Sequence, residues 1–439
     1  MRNQTDQRGA TWKKALPIIA MTLGLLTFSL ACFGCASSDQ SSSSASSSSA
    51  QEESDGDLIY ENMDLVYDGE PMSVFAANSA AFELSGDENA CYSPASYYIA
   101  LAMVAAGADG DAQQQLFAAL GAQSTEELDD YCRAQLDEIT STSEETTIDI
   151  SNSLWSNVGY TFLTEYQEAV EEYFDAGAFD VEFGTQQTND MITQWISEET
   201  RGLLEPVITT DESDVATLIN TLYFKDQWME AFTEGATEPD VFHAADGDVQ
   251  ADFMHNTTDY GTYIEGDGFT AAQMPFSGGS TCTFFLPDAG TDLSELLETP
   301  QDIANLLAAE PNSDAQISWS VPKFEISSTF GDLIDCAREL GVTDIFDPTS
   351  QDMFKNMIVA DNAADLDFYI NDAIQETTIS LDELGVEAAA YTMLTVKATS
   401  LAPEPTETVE FVLDRPFAYV ITAPNNVPLF IGVVANPSA

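Results

Sequence analysis

Hydrophobic residues have helical spacing in the early part of the chain and mainly strand spacing in the later part. Tyr97 to Gly107 is apolar on nearly all sides, which predicts a buried helix with Pro94 in its first turn. Ala216 to Phe224 is a nearly continuous apolar run, typical of a strand covered on both faces, so Asn220 would be a buried amide. The other predicted helices are Asp64–Leu84, Thr164–Tyr173, Gln187–Glu199 and Asp292–Leu297, and the other predicted strands are Thr147–Trp155, Val181–Phe183, Tyr260–Ile264, Thr270–Met274, Cys282–Leu286 and Gln316–Val321. This order favours an α+β fold over repeated βαβ units.

One late stretch, Asp382 to Ser400, combines the features of a strand and a loop. One face of an extended chain would carry small and mostly apolar side chains, namely Val386, Ala388, Ala390, Thr392, Leu394, Val396 and Ala398. The stretch then runs into Leu401-Ala-Pro-Glu-Pro405, whose prolines cannot donate to a sheet. Taken alone, the stretch favours an ordinary strand followed by a surface loop.

The N-terminus has the order of a secretory signal rather than of a folded element. Lys13 and Lys14 precede an apolar run that is short for a membrane span and contains Pro17. We predict a lipoprotein-type signal over residues 1–35, with Cys35 as the lipidated residue and Cys32 as the alternative acceptor. Residues 36–57, rich in Ser and acidic residues, cannot bury enough apolar surface to fold and form a predicted tether, which leaves one domain at 58–439.

Charge excludes several classes of partner. The chain has 12 Lys and Arg against 75 Asp and Glu, a net charge of −63, and no basic cluster to neutralise phosphates. We therefore expect neither a nucleic-acid partner nor a heparin-like polyanion. The sequence has two His, His243 and His255, without triad or metal partners, and no G-x-S-x-G, so we expect no enzyme, metal or cofactor. The four domain cysteines show no metal spacing.

Successive segments of the domain resemble those of one family, the serpins. The matching motifs, in family order, are Ser93-Pro94 with Ala100–Ala108, Asn152–Trp155, Ile192–Gly202, Ile219–Trp228 with Phe232, Val321–Phe324, Leu340–Asp347, Asp414–Phe417 and Pro428–Pro437. The resemblance covers essentially residues 60–437. It implies three β-sheets with about nine helices and an exposed reactive-centre loop, which is the late stretch described above.

The resemblance further implies inhibition of a serine or cysteine protease by a suicide-substrate route. The protease cuts the loop, forms an acyl-enzyme, and is trapped when residues 383–399 insert as a new strand of the large sheet. The hinge that must insert first consists of Glu383, Gly385, Val386, Glu387, Ala388, Ala389 and Ala390. Two positions depart from the family pattern: Val386 replaces the usual Thr, and Tyr391 replaces a small residue on the outward face.

Family spacing implies a reactive bond between Thr399 and Ser400, with Lys397 and Leu401 as alternatives. Thr399 suits a small apolar pocket, so elastase-like or subtilisin-like proteases are the expected targets. Three other residues, Ser93, Asn220 and Gln375, match a hydrogen-bonded shutter under the opening sheet. Trp228 matches the aromatic residue where the loop first enters.

Two alternative functions stay open on the sequence. The first is a non-inhibitory serpin that acts as a binding or adhesion protein, and the second is a solute-binding lipoprotein. In each case we expect a protein that a lipid anchors to the extracellular face of the cell membrane, or one that is secreted. We also expect a monomer whose only contact with the membrane is the anchor.

Overall fold

The computed structural model describes residues 22–32, 69–143, 146–311, 313–331, 333–361, 367–386 and 408–439. Eight α-helices lie in this part of the chain: α1 (Pro71–Glu83), α2 (Pro94–Gly107), α3 (Gly110–Leu120), α4 (Thr125–Ile139), α5 (Thr164–Phe174), α6 (Gln186–Glu199), α7 (Pro300–Leu307) and α8 (Leu333–Glu339). No helix among these residues is long and apolar enough to cross a membrane.

The strands of the described residues form three sheets. They are β1 (Thr22–Cys32), β2 (Ala90–Tyr92), β3 (Ser141–Thr142), β4 (Thr147–Asn157), β5 (Tyr160–Phe162), β6 (Gly177–Val181), β7 (Asp214–Gln227), β8 (Glu238–Ala244), β9 (Gly247–Glu265), β10 (Phe269–Pro275), β11 (Thr281–Pro287), β12 (Ser313–Pro322), β13 (Phe324–Phe330), β14 (Ile358–Ala360), β15 (Phe368–Leu381), β16 (Gly385–Val386), β17 (Thr408–Val412), β18 (Phe417–Thr422) and β19 (Pro428–Val434). The predicted α+β class with three sheets is confirmed.

Sheet A has eight strands and determines where the site lies. Its order runs β13, β15, then β1 and β16, then β7 and β4, with β3 and β6 both paired to β4. Sheet B has nine strands in the order β17-β12-β9-β10-β11-β18-β19-β2, with β8 beside β9, and sheet C is the β14–β5 pair. Most neighbours in sheet A are antiparallel, and β4 and β6 are parallel.

Helix α2 is almost completely buried and packs against β7 and β19, so it joins sheets A and B. The Ser93 hydroxyl accepts a hydrogen bond from the amide N–H of Ser96 at 3.4 Å, and Pro94 occupies the first turn, as the sequence predicts. An apolar helix without a polar face is stable only where it is covered all round. Burial of α2 therefore places its N-terminus directly beneath sheet A.

Two predicted elements differ from the structure. The strand predicted over Val181–Phe183 lies earlier, as β6 over Gly177–Val181, where it runs parallel to β4. The helix predicted over Asp292–Leu297 is only a short 3₁₀ turn, Leu293–Leu296. It cannot continue as one helix, because Thr299 caps a new helix that has Pro300 in its first turn.

Candidate functional site

Sheet A contains a slot, defined here as the space between β7 and β15. Two strands fill it end to end. β16 lies at one end, where Val386 pairs with Asp226 of β7 and Leu381 of β15. β1 fills the rest and is antiparallel to both β7 and β15. β1 and β16 consequently run in the same direction.

The two strands in the slot also share one register. A strand extended without interruption from Val386 would bring its third further residue opposite Tyr223 and Thr378. These two residues are the partners of Leu23 in β1. β1 therefore occupies the positions that a continuation of β16 would take, on both sides of the slot.

The chain turns into the slot through a tight bend after β15. The Asp382 carboxylate accepts hydrogen bonds from the N–H groups of Leu384 and Gly385, at 2.8 and 3.3 Å, and the Asp382 N–H donates to the Gly385 carbonyl at 3.0 Å. Gly385 has φ of +150°, and a Cβ there would lie 2.2 Å from the Asp226 carbonyl oxygen. Only glycine fits this conformation and this close approach. The turn thus fixes the direction in which the hinge enters.

Glu383 fastens the same turn to the second sheet. Its carboxylate accepts hydrogen bonds from the Lys323 ammonium at 2.8 Å and from the Thr237 hydroxyl at 2.7 Å. Burial of this side chain would raise its pKa, but the bonds from Lys323 and Thr237 outweigh that effect and hold the pKa below its ordinary value. Glu383 is therefore charged and paired at neutral pH.

Trp228 lies just beyond β7 and contacts the hinge turn through its backbone and its ring. Its backbone N–H donates to the Leu384 carbonyl and its indole N–H donates to the Asp382 carbonyl, both at 2.9 Å. The indole stacks on Phe276, with ring centroids 4.3 Å apart. Trp228 therefore holds the turn before Gly385 and Val386, and its role at the entry of the loop stays a prediction.

The three predicted shutter residues lie on opposite sides of the slot. Ser93 and Gln375 form one unit: the Ser93 N–H donates to the Gln375 amide oxygen, and the Gln375 amide donates back to the Ser93 carbonyl, both at 2.9 Å. The Ser93 hydroxyl donates to the Leu429 carbonyl at 2.9 Å. Asn220 belongs to a separate unit and donates to the Asn152 side-chain oxygen at 2.7 Å.

β1 separates the two units, because its residue Leu26 pairs with both Asn220 and Gln375. Each unit is anchored away from the slot, one on α2 and the other on β4. No hydrogen bond between the described side chains joins Asn220 to Gln375. In the structure, a strand therefore lies between the residues predicted to form the shutter.

Several predicted residues lie outside the described part of the chain. These are the hinge residues Glu387, Ala388, Ala389 and Ala390, the reactive-bond candidates Lys397, Thr399, Ser400 and Leu401, and the lipidation candidate Cys35. The alternative acceptor, Cys32, is the last residue of β1.

The structure adds site residues that the sequence did not single out. Lys323 lies in the motif Val321–Phe324, and Asn152 begins the motif Asn152–Trp155. The resemblance assigned a role only to their partners, Glu383 and Asn220. Thr237 and Phe276 carry no local signal, because their contacts join segments that are far apart along the chain. Asp226, the residue before the end of β7, is likewise an addition of the structure.

The chemistry of this site is strand pairing rather than catalysis. Among the described residues, no group of His, Cys, Asp and Glu could hold a metal ion. Four cysteines of the domain are buried in the core: Cys91, Cys132, Cys282 and Cys336. Burial raises the pKa of Cys91 to about 12, so this thiol is a poor nucleophile.

Comparison with known proteins agrees with this arrangement. The family model for serpin (serine protease inhibitor) matches residues 75–437. The chain is 28% identical to Serpin-ZX of Arabidopsis thaliana over 83% of this chain and 96% of that protein. The native structure of the thermophilic serpin tengpin is 25% identical and matches with a TM-score of 0.71, over 88% of this chain and 96% of that one.

Human thyroxine-binding globulin, solved in complex with thyroxine, matches with a TM-score of 0.69 at 22% identity, over 86% of this chain and 99% of that one. At this identity the match bears on the fold alone. A fold of sheets A, B and C with a hinge entering sheet A, together with the family match, defines a serpin. This chain belongs to the serpin family, most of whose members are protease inhibitors rather than catalytic enzymes.

Proposed function

We propose that this serpin is a suicide-substrate inhibitor of serine or cysteine proteases. The target cuts the reactive-centre loop, and the freed loop enters the slot of sheet A while still esterified to the enzyme. Displacing the catalytic groups by about 1 Å slows deacylation on the order of a hundredfold. The enzyme then stays attached.

One observation carries this proposal: the slot accommodates a continuous strand that has the direction and register of the hinge. β16 already pairs at the entrance and β1 fills the remaining positions. A strand that gains a ladder on both sides satisfies its own backbone groups as well as those of β7 and β15. This gain is the driving force that trapping requires.

The length of the slot also fits the predicted reactive bond. In the register of β16, residue 385 lies opposite Gln227, so residue 398 would lie opposite Asp214, at the other end of β7. A cut after Thr399 would leave a strand that matches the 14 residues of β7. Full insertion would carry the attached protease about 45 Å along the sheet.

The side chains of the loop suit the two faces of the slot in this register. Ala388 would lie opposite Phe224 and Ile379, both fully buried in the core. Ala389 would lie opposite Tyr223, on whose ring the Arg201 guanidinium packs at 4.7 Å from the centroid. Ala388 would therefore face the core, and Ala389 would face the side of the sheet that carries Arg201.

The target and location follow from the sequence expectations. Thr399 favours an elastase-like or subtilisin-like protease, and a lipid on Cys35 or Cys32 would hold the inhibitor at the outer face of the membrane. Removal of the residues that precede a lipidated Cys35, 1–34, would also remove β1 and free the slot for the loop. Cleavage of the signal would in this way leave a chain whose slot is open for inhibition.

The test compares Ala388→Glu with Ala389→Glu in the chain isolated after secretion. Each variant is incubated with elastase-like, subtilisin-like, trypsin-like and chymotrypsin-like proteases and run on a denaturing gel. Intact mass of the released C-terminal peptide identifies the bond. We expect a denaturant-resistant adduct and a peptide beginning at Ser400 for the unmodified chain.

Ala389→Glu is the matched control, because its carboxylate would lie on the face that carries Arg201. It should still form the adduct, whereas Ala388→Glu should be cut without trapping, since a charge cannot be buried against Phe224 without a partner. Cleavage of the unmodified chain by fully active protease would instead support the non-inhibitory binding function. Equal trapping by both variants would contradict the proposed register.

A further inference from the structure

A buried carboxylate, that of Asp226, lies immediately behind the entrance to the slot. Asp226 is the residue of β7 that pairs with Val386, and its exposed fraction is 0%. Its side chain shares a face of β7 with Phe224 and Leu222, which pack into the core between the sheets. An acidic residue at such a position requires hydrogen-bond donors around it.

Three donors meet this carboxylate, and they come from three parts of the fold. One oxygen of Asp226 accepts from the Thr146 hydroxyl at 2.8 Å, from the Gln227 N–H at 2.9 Å and from the Gly278 N–H at 3.0 Å. Thr146 precedes β4, Gln227 ends β7, and Gly278 lies in the turn between β10 and β11 of sheet B. The carboxylate therefore ties the end of β7 both to its neighbour in sheet A and to sheet B.

Close packing on both sides of Asp226 shows how little freedom this junction has. A Cβ at Gly278 would lie 2.6 Å from the second carboxylate oxygen, and a Cβ at Gly385 would lie 2.2 Å from the Asp226 carbonyl oxygen. Glycines thus face this residue from the sheet B turn and from the hinge. A small movement of the end of β7 would misalign the backbone groups that receive Gly385 and Val386.

We infer that Asp226 is a positioning residue for loop insertion: its carboxylate holds the end of β7 in the position that receives the first residues of the hinge. This inference rests on the proposed trapping function and assigns to it a residue that determines how often cleavage ends in trapping. After cleavage, insertion competes with deacylation of the enzyme. Loosening the pairs that Gly385 and Val386 already make with Gln227 and Asp226 would delay pairing of the residues that follow, and would increase the share of inhibitor that is cut and released.

The experiment measures the moles of inhibitor consumed per mole of protease trapped, using the secreted chain and the protease that forms the adduct. For Asp226→Ala we expect this ratio to rise about threefold or more, while the second-order rate constant of loop cleavage changes less than about twofold. Asp226→Asn keeps one acceptor oxygen for the two backbone N–H groups. Its ratio should therefore lie between those of the unmodified chain and of Asp226→Ala. Thr146→Val removes a single donor and should have a smaller effect in the same direction.

Asp129→Asn serves as the control, because Asp129 is also a buried carboxylate, with an exposed fraction of 5%, but lies on α4 away from the slot. Asp129→Asn should alter thermal stability without altering the moles of inhibitor consumed per mole of protease trapped. If Asp226→Ala does not fold, Asp226→Asn and Thr146→Val decide the question.

An unchanged ratio in folded Asp226 variants would overturn the inference while leaving the trapping function intact. An equal rise in Asp129→Asn would also overturn it, because the effect would then follow general stability. If the unmodified chain forms no adduct with any protease, the trapping function fails and the inference fails with it.

Discussion

The strands that border the slot differ in composition from those at the centre of sheet B. β7 and β15 bury many polar side chains, namely Thr217, Asn220, Thr221, Asp226, Gln375, Thr377 and Thr378. β18 and β19 bury aliphatic and aromatic residues almost without exception. β7 is buried along nearly its whole length, as β18 and β19 are, so burial alone does not explain the difference.

Hydrogen bonds of the slot residues explain why polar groups occur there. Gln375 is bonded to Ser93 on α2, and Asn220 is bonded to Asn152 on β4. Neither bond crosses the slot, so each side is held by its own neighbours when the sides are apart. In β18 and β19 the strands hold each other, and separating them would expose apolar surface without compensation. A sheet that must admit a strand therefore benefits from polar anchors outside the slot.

The largest expected effect comes from β1, which competes with the loop for the slot. In the unprocessed full-length chain, Leu26→Pro removes a ladder donor at the position paired with both Asn220 and Gln375. We expect the unprocessed chain to be cut without trapping, and the variant to regain adduct formation by about tenfold or more. Adduct yield on denaturing gels measures this.

Ser44→Pro, in the predicted tether, is the control for Leu26→Pro and should leave the unprocessed chain non-trapping. If the unprocessed chain traps protease as well as Leu26→Pro does, β1 does not compete with the loop. The slot would then be available to the loop before processing.

A substitution in sheet B should affect stability rather than trapping. Phe430 of β19 is fully buried, and its ring lies 6.2 Å from that of Phe224. Phe430→Ala should lower the stability of the chain by about 3–5 kcal/mol, as judged by its urea midpoint. The control Val412→Ala, at a position 37% exposed on β17, should cost less than about 0.5 kcal/mol. A changed trapping ratio in folded Phe430→Ala would contradict the separation of roles between the sheets.

At the slot, loss of a polar anchor should affect both stability and trapping. Gln375→Leu leaves the backbone N–H and C=O of Ser93 without their partner, which should cost about 2–4 kcal/mol. Gln316→Leu, which removes an exposed bond to Asp259 in sheet B, is the matched control and should cost less than about 1 kcal/mol. Thermal unfolding and the trapping ratio are the measurements, and equal effects of the two variants would remove the distinction between the sheets.

Sequence patterns predicted the elements whose burial is uniform along the segment. α2, β4, β7 and α6 follow directly from apolar runs or helical spacing. Helix α4 was not predicted, since Thr125 to Ile139 contains many acidic residues that weaken the apolar signal. The family resemblance supplied the predicted hinge and shutter residues, but it did not indicate that β1 lies between Asn220 and Gln375.

Contacts across long sequence separations could not be predicted from local patterns. Lys323 and Glu383 are 60 residues apart, and Thr146 and Asp226 are 80 apart. Thr146 meets Asp226 because β4 begins beside the end of β7 in sheet A, and Lys323 meets Glu383 because the link between β12 and β13 passes the turn after β15. The spacing of apolar and polar residues within either segment does not indicate which distant residue it contacts.

The smallest expected effect concerns the charge of Glu383, where the hinge meets sheet B. Its pKa lies below the ordinary value because the bonds from Lys323 and Thr237 outweigh burial. The unfolded chain therefore binds more protons than the folded chain between the lowered pKa and about 4.5, and stability rises with pH through that interval. The contribution is fully present above the ordinary value and is lost as pH falls through the lowered pKa.

Glu383→Gln should remove this dependence and cost about 1 kcal/mol at neutral pH, since Lys323 is partly exposed and its pairing is weakened by solvent. Glu376→Gln on β15 is the contrasting variant, because burial raises the pKa of Glu376 and its charge destabilises the fold as pH rises. Urea midpoints from pH 3 to 7 should therefore change slope in opposite directions in the two variants. The same slope change in both would mean that the Lys323 bond does not hold the Glu383 carboxylate in its charged form, and the hinge would then have no electrostatic attachment to sheet B.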